Sequence, residues 1–246
     1  MNESKHLNIL QIVHYFLPDH QAGTELYTYY LSKELINRGN KVSILTFEDG
    51  YPFVDSAMEK TFYNDIPLIR VFRQQRKFQK RQLKKYMKIY EDHFLNWLFE
   101  KILDDLKPDI IHIQHLYNLS INFISLAKKR GIPIVMTIHD FWYMCWNNLL
   151  LKSSGKLCNP KRKLKECLAC IKKDFISIPM LPYFYYNLLK RESLFRKNLQ
   201  KPDLIISPSK FLREQYIKWG VAPDKIIYSP NGHELTHYKD VSKAGV

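Results

Sequence analysis

The sequence has no run of about 18 uncharged apolar residues, which a membrane-spanning helix would need. Its N-terminus also lacks a secretory signal pattern, because Glu3, Lys5 and His6 precede an apolar run of only strand length. Internal repeats and low-complexity tracts are missing as well, while 46% of the 246 residues are hydrophobic. These absences predict a globular protein with a substantial core, kept in the cytosol.

Acidic residues are scarce relative to basic ones. The chain has 24 Asp and Glu against 38 Lys and Arg, giving a net charge of +14. This excess favours an acidic partner, such as a nucleic acid, a phosphorylated substrate or an anionic membrane surface. Nucleic acid ranks last among these, because the sequence carries no helix-turn-helix, zinc-finger or RNA-binding signature.

Cysteine is confined to one short segment. Cys145, Cys158, Cys167 and Cys170 lie within 26 residues, and the last two form the only C-x2-C pair. In a reducing cytosol such clustering favours a metal over disulfides, so we predict a structural zinc site. Free or disulfide-bonded cysteines are the alternative, and no motif marks a catalytic cysteine.

Apolar strands alternate with helices along most of the chain. The predicted strands are Asn8 to His14, Val42 to Phe47, Pro67 to Phe72, Pro108 to His115, Ile132 to Asp140, Pro202 to Ser207 and Lys225 to Tyr228. Continuous apolar strands separated by helices indicate an α/β fold with a doubly wound, mostly parallel, Rossmann-like sheet. A Cys-containing insertion at about 141–189 interrupts the alternation.

The first strand-helix-strand unit has the form of a phosphate-binding device. Gly23, Thr24 and Glu25 open a predicted amphipathic helix that ends at Gly39, and a helix N-terminus attracts phosphate. The apolar positions of this helix recur at helical spacing: Leu26, Tyr30, Leu31, Leu35 and Ile36. An ordinary glycine-bearing turn is the alternative interpretation.

Two further segments suggest a membrane surface. A long helix is predicted over about 74–106, with basic residues between Arg76 and Lys88 and an apolar stripe. The stripe comprises Leu83, Met87, Tyr90, Phe94 and Trp97. Together with the aromatic stretch Pro179 to Tyr186, it would suit anionic headgroups at the interface. A solvated helix face and a packed aromatic core are the alternative.

Several short motifs, in order, resemble the N-terminal half of a GT-B glycosyltransferase of the retaining, family-four type. They are Pro18 with Gly23-Thr24-Glu25, Arg38 to Val42, Pro108 to His112, Thr137 to Asp140, Asp203 to Ser209, and Pro230-Asn231-Gly232. Together they span nearly the whole chain. One departure is Ala22, which stands where such loops commonly carry a second glycine.

The resemblance implies roles for individual residues. His139 would lie beside the transferred sugar and share in catalysis, and Gly23, Thr24 and Glu25 would face the phosphates of a nucleotide-sugar donor. Asp140 either orients His139 or caps the next segment. A histidine hydrogen-bonded at a strand end is the alternative for His139.

His112 and His115 lie on a neighbouring predicted strand. They are either near an acceptor or satisfied histidines of the core.

The resemblance also sets the expected domain organisation. Residues 1–234 would form the N-terminal domain, 235–246 would begin an interdomain linker, and the C-terminal donor-binding domain would be absent. The chain would then be the acceptor-binding half of a retaining glycosyltransferase, acting on a glycan or lipid-linked acceptor and inactive alone. Its partner domain would act in cis or in trans, and the protein would be cytoplasmic, with peripheral contact at the inner face of the membrane.

Two rival functions remain. One is a non-catalytic membrane- or glycan-binding module, or split-enzyme subunit, that recruits a catalytic partner. The other is a zinc-stabilised protein that binds nucleic acid.

Overall fold

The computed structural model describes residues 6–48, 58–72, 90–152, 154–175 and 181–232, excluding the side chains of 171–175. The strands in this part of the chain are β1 (Asn8–Val13), β2 (Lys41–Glu48), β3 (Met58–Tyr63), β4 (Ile66–Phe72), β5 (Ile110–Ile113), β6 (Ile134–Thr137), β7 (Leu204–Ser207) and β8 (Ile226–Tyr228). The helices are α1 (Gly23–Asn37), α2 (His93–Leu106), α3 (Asn122–Lys129), α4 (Leu164–Phe175), α5 (Leu181–Leu199) and α6 (Lys210–Trp219). The predicted basic run between Arg76 and Lys88, and the predicted linker at 235–246, lie outside the described residues.

All eight described strands belong to one sheet, in the order β3-β4-β2-β1-β5-β6-β7-β8. Neighbouring strands are parallel except β3 and β4, which are antiparallel. This confirms the predicted α/β fold with a mostly parallel, doubly wound sheet. After β1 the chain adds β2, β3 and β4 on one side of β1, and it then crosses to β5 on the other side. The topological switch point therefore lies between β1 and β5, where open α/β sheets bind ligands.

The core divides over the two faces of the sheet. Leu10 and Ile12 of β1 belong to the larger apolar cluster, together with buried residues of α2 and α3. Val13 belongs to a smaller cluster, against which Tyr29 of α1 packs. Successive strand residues point to opposite faces, so helices cover the sheet on both sides.

Strands β3 and β4 form a hairpin that the sequence did not reveal. The predicted strands include none between Phe47 and Pro67, but Met58–Tyr63 forms a strand, and Tyr63 pairs with Ile66 across a two-residue turn. The turn residues Asn64 and Asp65 have φ values of 46° and 66°. Positive φ at both central positions is the geometry that matches strand twist, and Asn and Asp tolerate it.

Helix α1 buries a polar face, contrary to the amphipathic pattern predicted for it. Its buried residues are Glu25, Thr28 and Ser32, whereas Leu26 and Ile36 are 38% and 36% exposed. Polar residues of the sheet, including Gln11 and Thr46, are also fully buried. The predicted positions Tyr30, Leu31 and Leu35 are half-buried, while the most buried positions are polar, as Glu25 beside His14 illustrates.

Helix α2 is shorter than predicted and oriented differently. It begins after Asp92, whose Oδ1 accepts hydrogen bonds from the backbone N–H groups of Phe94 and Leu95 at 3.0 Å each. Phe94 and Trp97 of the predicted apolar stripe are 40% and 54% exposed. The buried face contains Leu95, Leu98, Phe99, Ile102 and Leu103 instead.

Among the described residues, we find no helix that combines the length and the apolar composition needed to cross a bilayer.

Candidate functional site

Two imidazole–carboxylate pairs meet at the switch point. The rings of His14, after β1, and His115, after β5, have centroids 4.5 Å apart. Glu25 Oε1 lies 3.6 Å from His14 Nε2, and Asp140 Oδ2 lies 3.5 Å from His115 Nε2. The carboxyl ends of parallel strands thus bring together side chains that are distant in the sequence.

Burial controls the charge of His14. Desolvation and the neighbouring His115 lower the pKa of His14 to about 3, against the opposing effect of Asp140. The imidazole is therefore neutral at pH 7. Within the described residues, His14 Nδ1 and Glu25 Oε2 are buried without a hydrogen-bond partner.

His139 follows β6, and the side-chain amides of Gln114 and Gln11 connect it by hydrogen bonds to the centre of the sheet. Its Nε2 lies 3.0 Å from Gln114 Oε1, and Gln114 Nε2 donates to Gln11 Oε1 at 2.9 Å. The Tyr27 ring of α1 packs edge-on against the imidazole, with centroids 5.2 Å apart. Burial first, and then His115, lower the pKa of His139 to about 4, so this ring is also neutral at pH 7.

Asp140 caps the segment that follows it. Its Oδ1 accepts the backbone N–H of Trp142 at 2.8 Å, while its other oxygen faces His115. Burial opposes ionisation, but these contacts with His115 and Trp142 outweigh it, so the pKa of Asp140 lies below its usual value. Asp140 thus contacts His115 and the Trp142 N–H, whereas His139 Nε2 contacts Gln114.

The start of α1 lies at the same edge of the sheet. Ala22 is the extended N-cap residue, and its side chain provides no hydrogen bond to the first N–H groups of the helix. A Cβ atom on Gly23 would meet nothing within 4 Å, leaving the backbone approachable. Glu25 turns its carboxylate inward to His14, so toward solvent this turn presents backbone rather than the Glu25 side chain.

His112 and His115 have different surroundings. His112 Nε2 lies 2.8 Å from Thr137 Oγ1, and burial lowers the pKa of His112 to about 3. His112 is therefore a satisfied histidine of the core. His115 accepts the Tyr117 N–H at Nδ1 and faces Asp140, which places it at the floor of the site.

The four cysteines line one cavity of about 260 Å³, together with Trp146 and Arg162. All four are free thiols, so no disulfide is present. Cys145 Sγ donates to Asn147 Oδ1, and Cys167 Sγ accepts from Arg162 Nε, at 2.9 Å each. Among the described residues, no three His, Cys, Asp or Glu side chains are grouped to hold a metal ion. Zinc therefore remains a prediction from cysteine spacing.

Four residues of this site were given no role by sequence reasoning: His14, Gln11, Gln114 and Tyr27. The available signal was a glutamine inside an otherwise apolar strand, since both glutamines are fully buried. Burying an amide is costly unless it is hydrogen-bonded. A polar residue in a central strand therefore indicates a partner, although the sequence does not identify it.

Comparison with protein families gives a match over most of the chain. The model for Glycosyltransferase Family 4 covers residues 22–237. A curated Klebsiella pneumoniae protein, described as an uncharacterized 42.6 kDa protein in the cps region, is 22% identical over 154 residues. That alignment covers 61% of this chain and 41% of the Klebsiella protein.

A solved structure shares the fold. The crystal structure of Anabaena Alr3699/HepE in complex with UDP and glucose aligns with a TM-score of 0.50 at 14% identity. The alignment covers 96% of this chain and 47% of the Anabaena chain. Our chain thus spans less than half the length of each of these two proteins.

Proposed function

Because this chain belongs to glycosyltransferase family 4 and has the Rossmann-like fold of an N-terminal GT-B half, we propose that it is the acceptor-binding half of a retaining glycosyltransferase. The complete enzyme transfers a sugar from a nucleotide-sugar donor to a glycan or lipid-linked acceptor. Residues 1–234 form the N-terminal domain, with an insertion at about 141–189, and a linker begins at 235. A donor-binding domain, in cis or in trans, supplies the other wall of the cleft.

One arrangement carries this proposal: the neutral imidazole of His139 lies at the same sheet edge as the start of α1. In the proposed complex His139 contacts the transferred sugar. The backbone N–H groups of Gly23, Thr24 and Glu25 face the donor diphosphate, where the positive end of the helix dipole stabilises it. Asp140 accepts a hydrogen bond from a hydroxyl group.

The proposed reaction exchanges one glycosidic bond for another. The bond from the anomeric carbon to the diphosphate breaks, and a bond to the acceptor oxygen forms on the same face of the sugar. The departing phosphate takes the acceptor proton, because a phosphate with a pKa of about 6 is a stronger base than either nearby imidazole. The pKa values of His14 and His139 are about 3 and about 4. Their task is to orient the substrates.

Turnover with and without the donor half tests this proposal. We expect no measurable transfer from a nucleotide sugar by the isolated chain, and transfer once it is joined to the donor-binding domain. Ordinary turnover by the isolated chain would overturn the half-enzyme proposal. No turnover by the folded two-domain protein with any nucleotide sugar would favour a non-catalytic module.

An exposed aromatic surface supports peripheral contact with an anionic membrane. We define the aromatic patch as Phe94 and Trp97 of α2, which are 40% and 54% exposed. Tyr183 and Tyr186 of α5 are also exposed, by 49% and 64%. Phe94 and Trp97 stack at 5.9 Å, and the Lys101 ammonium lies 5.9 Å from the Trp97 ring. Aromatic rings beside a lysine suit the headgroup region, where a lipid-linked acceptor would be presented. The same patch would serve the alternative function, a non-catalytic module that recruits a partner.

A further inference from the structure

The hydrogen bonds that link Gln11, Gln114 and His139 have a defined donor and acceptor at each step. Gln114 uses its Nε2 group to donate to Gln11 Oε1 at 2.9 Å, so its Oε1 is the atom that faces His139 Nε2 at 3.0 Å. A carbonyl oxygen only accepts hydrogen bonds. The hydrogen of a neutral His139 must then be on Nε2, and its Nδ1 carries a lone pair.

Both glutamines are fully buried at the centre of the sheet. This placement costs free energy, because among the described residues the Nε2 group of Gln11 is buried without a hydrogen-bond partner. Apolar side chains would avoid that cost. The amides therefore serve a purpose other than packing.

We propose that Gln114, supported by Gln11, is a positioning residue that keeps the proton of His139 on Nε2 and presents Nδ1 as a hydrogen-bond acceptor to a sugar hydroxyl. This inference deepens the proposed function and rests on it. In the described structure Nδ1 has no assigned partner.

The inference specifies the ligand chemistry at this point of the cleft. Both groups beside the sugar, His139 Nδ1 and the Asp140 carboxylate, accept hydrogen bonds. They complement a sugar that offers free hydroxyl groups. A carboxylate or phosphate oxygen has no hydrogen to donate and would also meet the negative charge of Asp140, so an acidic sugar is disfavoured here.

The surroundings of His139 keep it neutral. It faces Tyr27 from α1, His115 after β5, and Asp140 next along the chain. His139 in turn lowers the pKa values of His112, on β5, and of His14, after β1. Burial dominates and lowers the pKa of His139 to about 4, so the tautomer, not the charge, decides what His139 offers at pH 7.

Nitrogen-15 NMR of the labelled 246-residue chain measures this tautomer without donor, acceptor or partner domain. A His139→Asn variant assigns the signals. We expect wild-type His139 to be protonated on Nε2 and unprotonated on Nδ1. Gln114→Met keeps the side-chain length but removes the amide, and should make the Nδ1–H form detectable. Gln114→Glu restores the acceptor, and should restore Nε2–H while raising the pKa of His139 by about 1 to 3 units.

Asn198→Leu is the matched control, because it removes another buried amide, one that contacts Ser125 and the Leu194 carbonyl. We expect it to leave the His139 signals unchanged. A wild-type proton on Nδ1, or an unaltered tautomer in folded Gln114→Met, would overturn the inference. Neither result would affect the proposed function, which is tested separately by turnover with and without the donor-binding half.

Discussion

The imidazole rings of His14 and His115 lie 4.5 Å apart, and each lies beside a carboxylate, that of Glu25 for His14 and that of Asp140 for His115. Asp140 favours protonation of His14. Burial outweighs that attraction for His14 and lowers its pKa to about 3. The floor of the site therefore combines a neutral His14 imidazole with carboxylates, a surface rich in hydrogen-bond acceptors.

Buried neutral histidines make stability depend on pH, and His112 provides the cleanest test. Its pKa is about 3 in the folded protein and 6.5 in the reference state, so between these values only the unfolded chain takes up the proton. Stability from this group is complete above pH 6.5 and is lost as the pH falls, by about 2 kcal/mol at pH 5.

Urea unfolding at pH 7 and pH 5 measures this effect in wild type and His112→Gln. His14 and His139 shift in the same direction, so only the difference between the two proteins is diagnostic. We expect His112→Gln to lose less stability over this range. The exposed His93→Gln serves as control and should match wild type. If His112→Gln loses as much stability as wild type between pH 7 and pH 5, the lowered pKa of His112 is contradicted.

The N-cap of α2 gives a second prediction. Asp92→Ala removes the acceptor for two N–H groups and should lower the free energy of unfolding by about 1 kcal/mol, whereas Asp92→Asn should retain most of it. Thermal or urea unfolding checks this against Asp224→Ala, a change at an exposed aspartate. Equal stability of Asp92→Ala and wild type would show that the Asp92 cap does not stabilise α2.

The sequence predicted the order of strands and helices more accurately than it predicted which face of each helix is buried. Parallel strands such as β1 and β6 are recognisable because their apolar residues run nearly continuously, as burial on both faces requires. The β3–β4 hairpin was missed because β3 exposes Phe62 and carries no apolar pattern. The most buried positions of α1, Glu25, Thr28 and Ser32, were missed because they are polar.

The candidate site was predictable only in part. Its residues His139, Asp140 and Gly23 follow strands or open a helix, so topology alone brings them to one edge. The orientation of His139 by Gln114 depends on strand order and register, which place β1 beside β5. No local pattern in a single sequence encodes that pairing.

The aromatic patch predicts membrane binding that depends on specific rings. The double change Phe94→Ser and Trp97→Ser should lower the affinity for anionic vesicles in a co-sedimentation assay, about thirtyfold if each ring contributes on the order of 1 kcal/mol. Phe62→Ser is the matched control, because Phe62 is 71% exposed but lies on β3. Equal binding of the double variant and wild type would exclude the patch as a membrane contact.

Zinc at the cysteines remains testable by metal analysis of protein purified without added metal. The prediction from spacing is about one equivalent in wild type and a loss in Cys167→Ser with Cys170→Ser. Binding would require the thiols to exchange their present contacts with Asn147 and Arg162 for the metal. Less than about 0.2 equivalents in folded wild-type protein would rule out a structural site.

The most direct test of the central claim is the turnover number of His139→Ala in the enzyme formed with the donor-binding half. We expect kcat to fall about a hundredfold or more, because an oriented hydrogen bond to the reacting sugar is lost. His93→Ala, at an exposed position on α2, should leave it unchanged. Wild-type kcat in His139→Ala would contradict the claim that the edge between β1 and β6 is the transfer site.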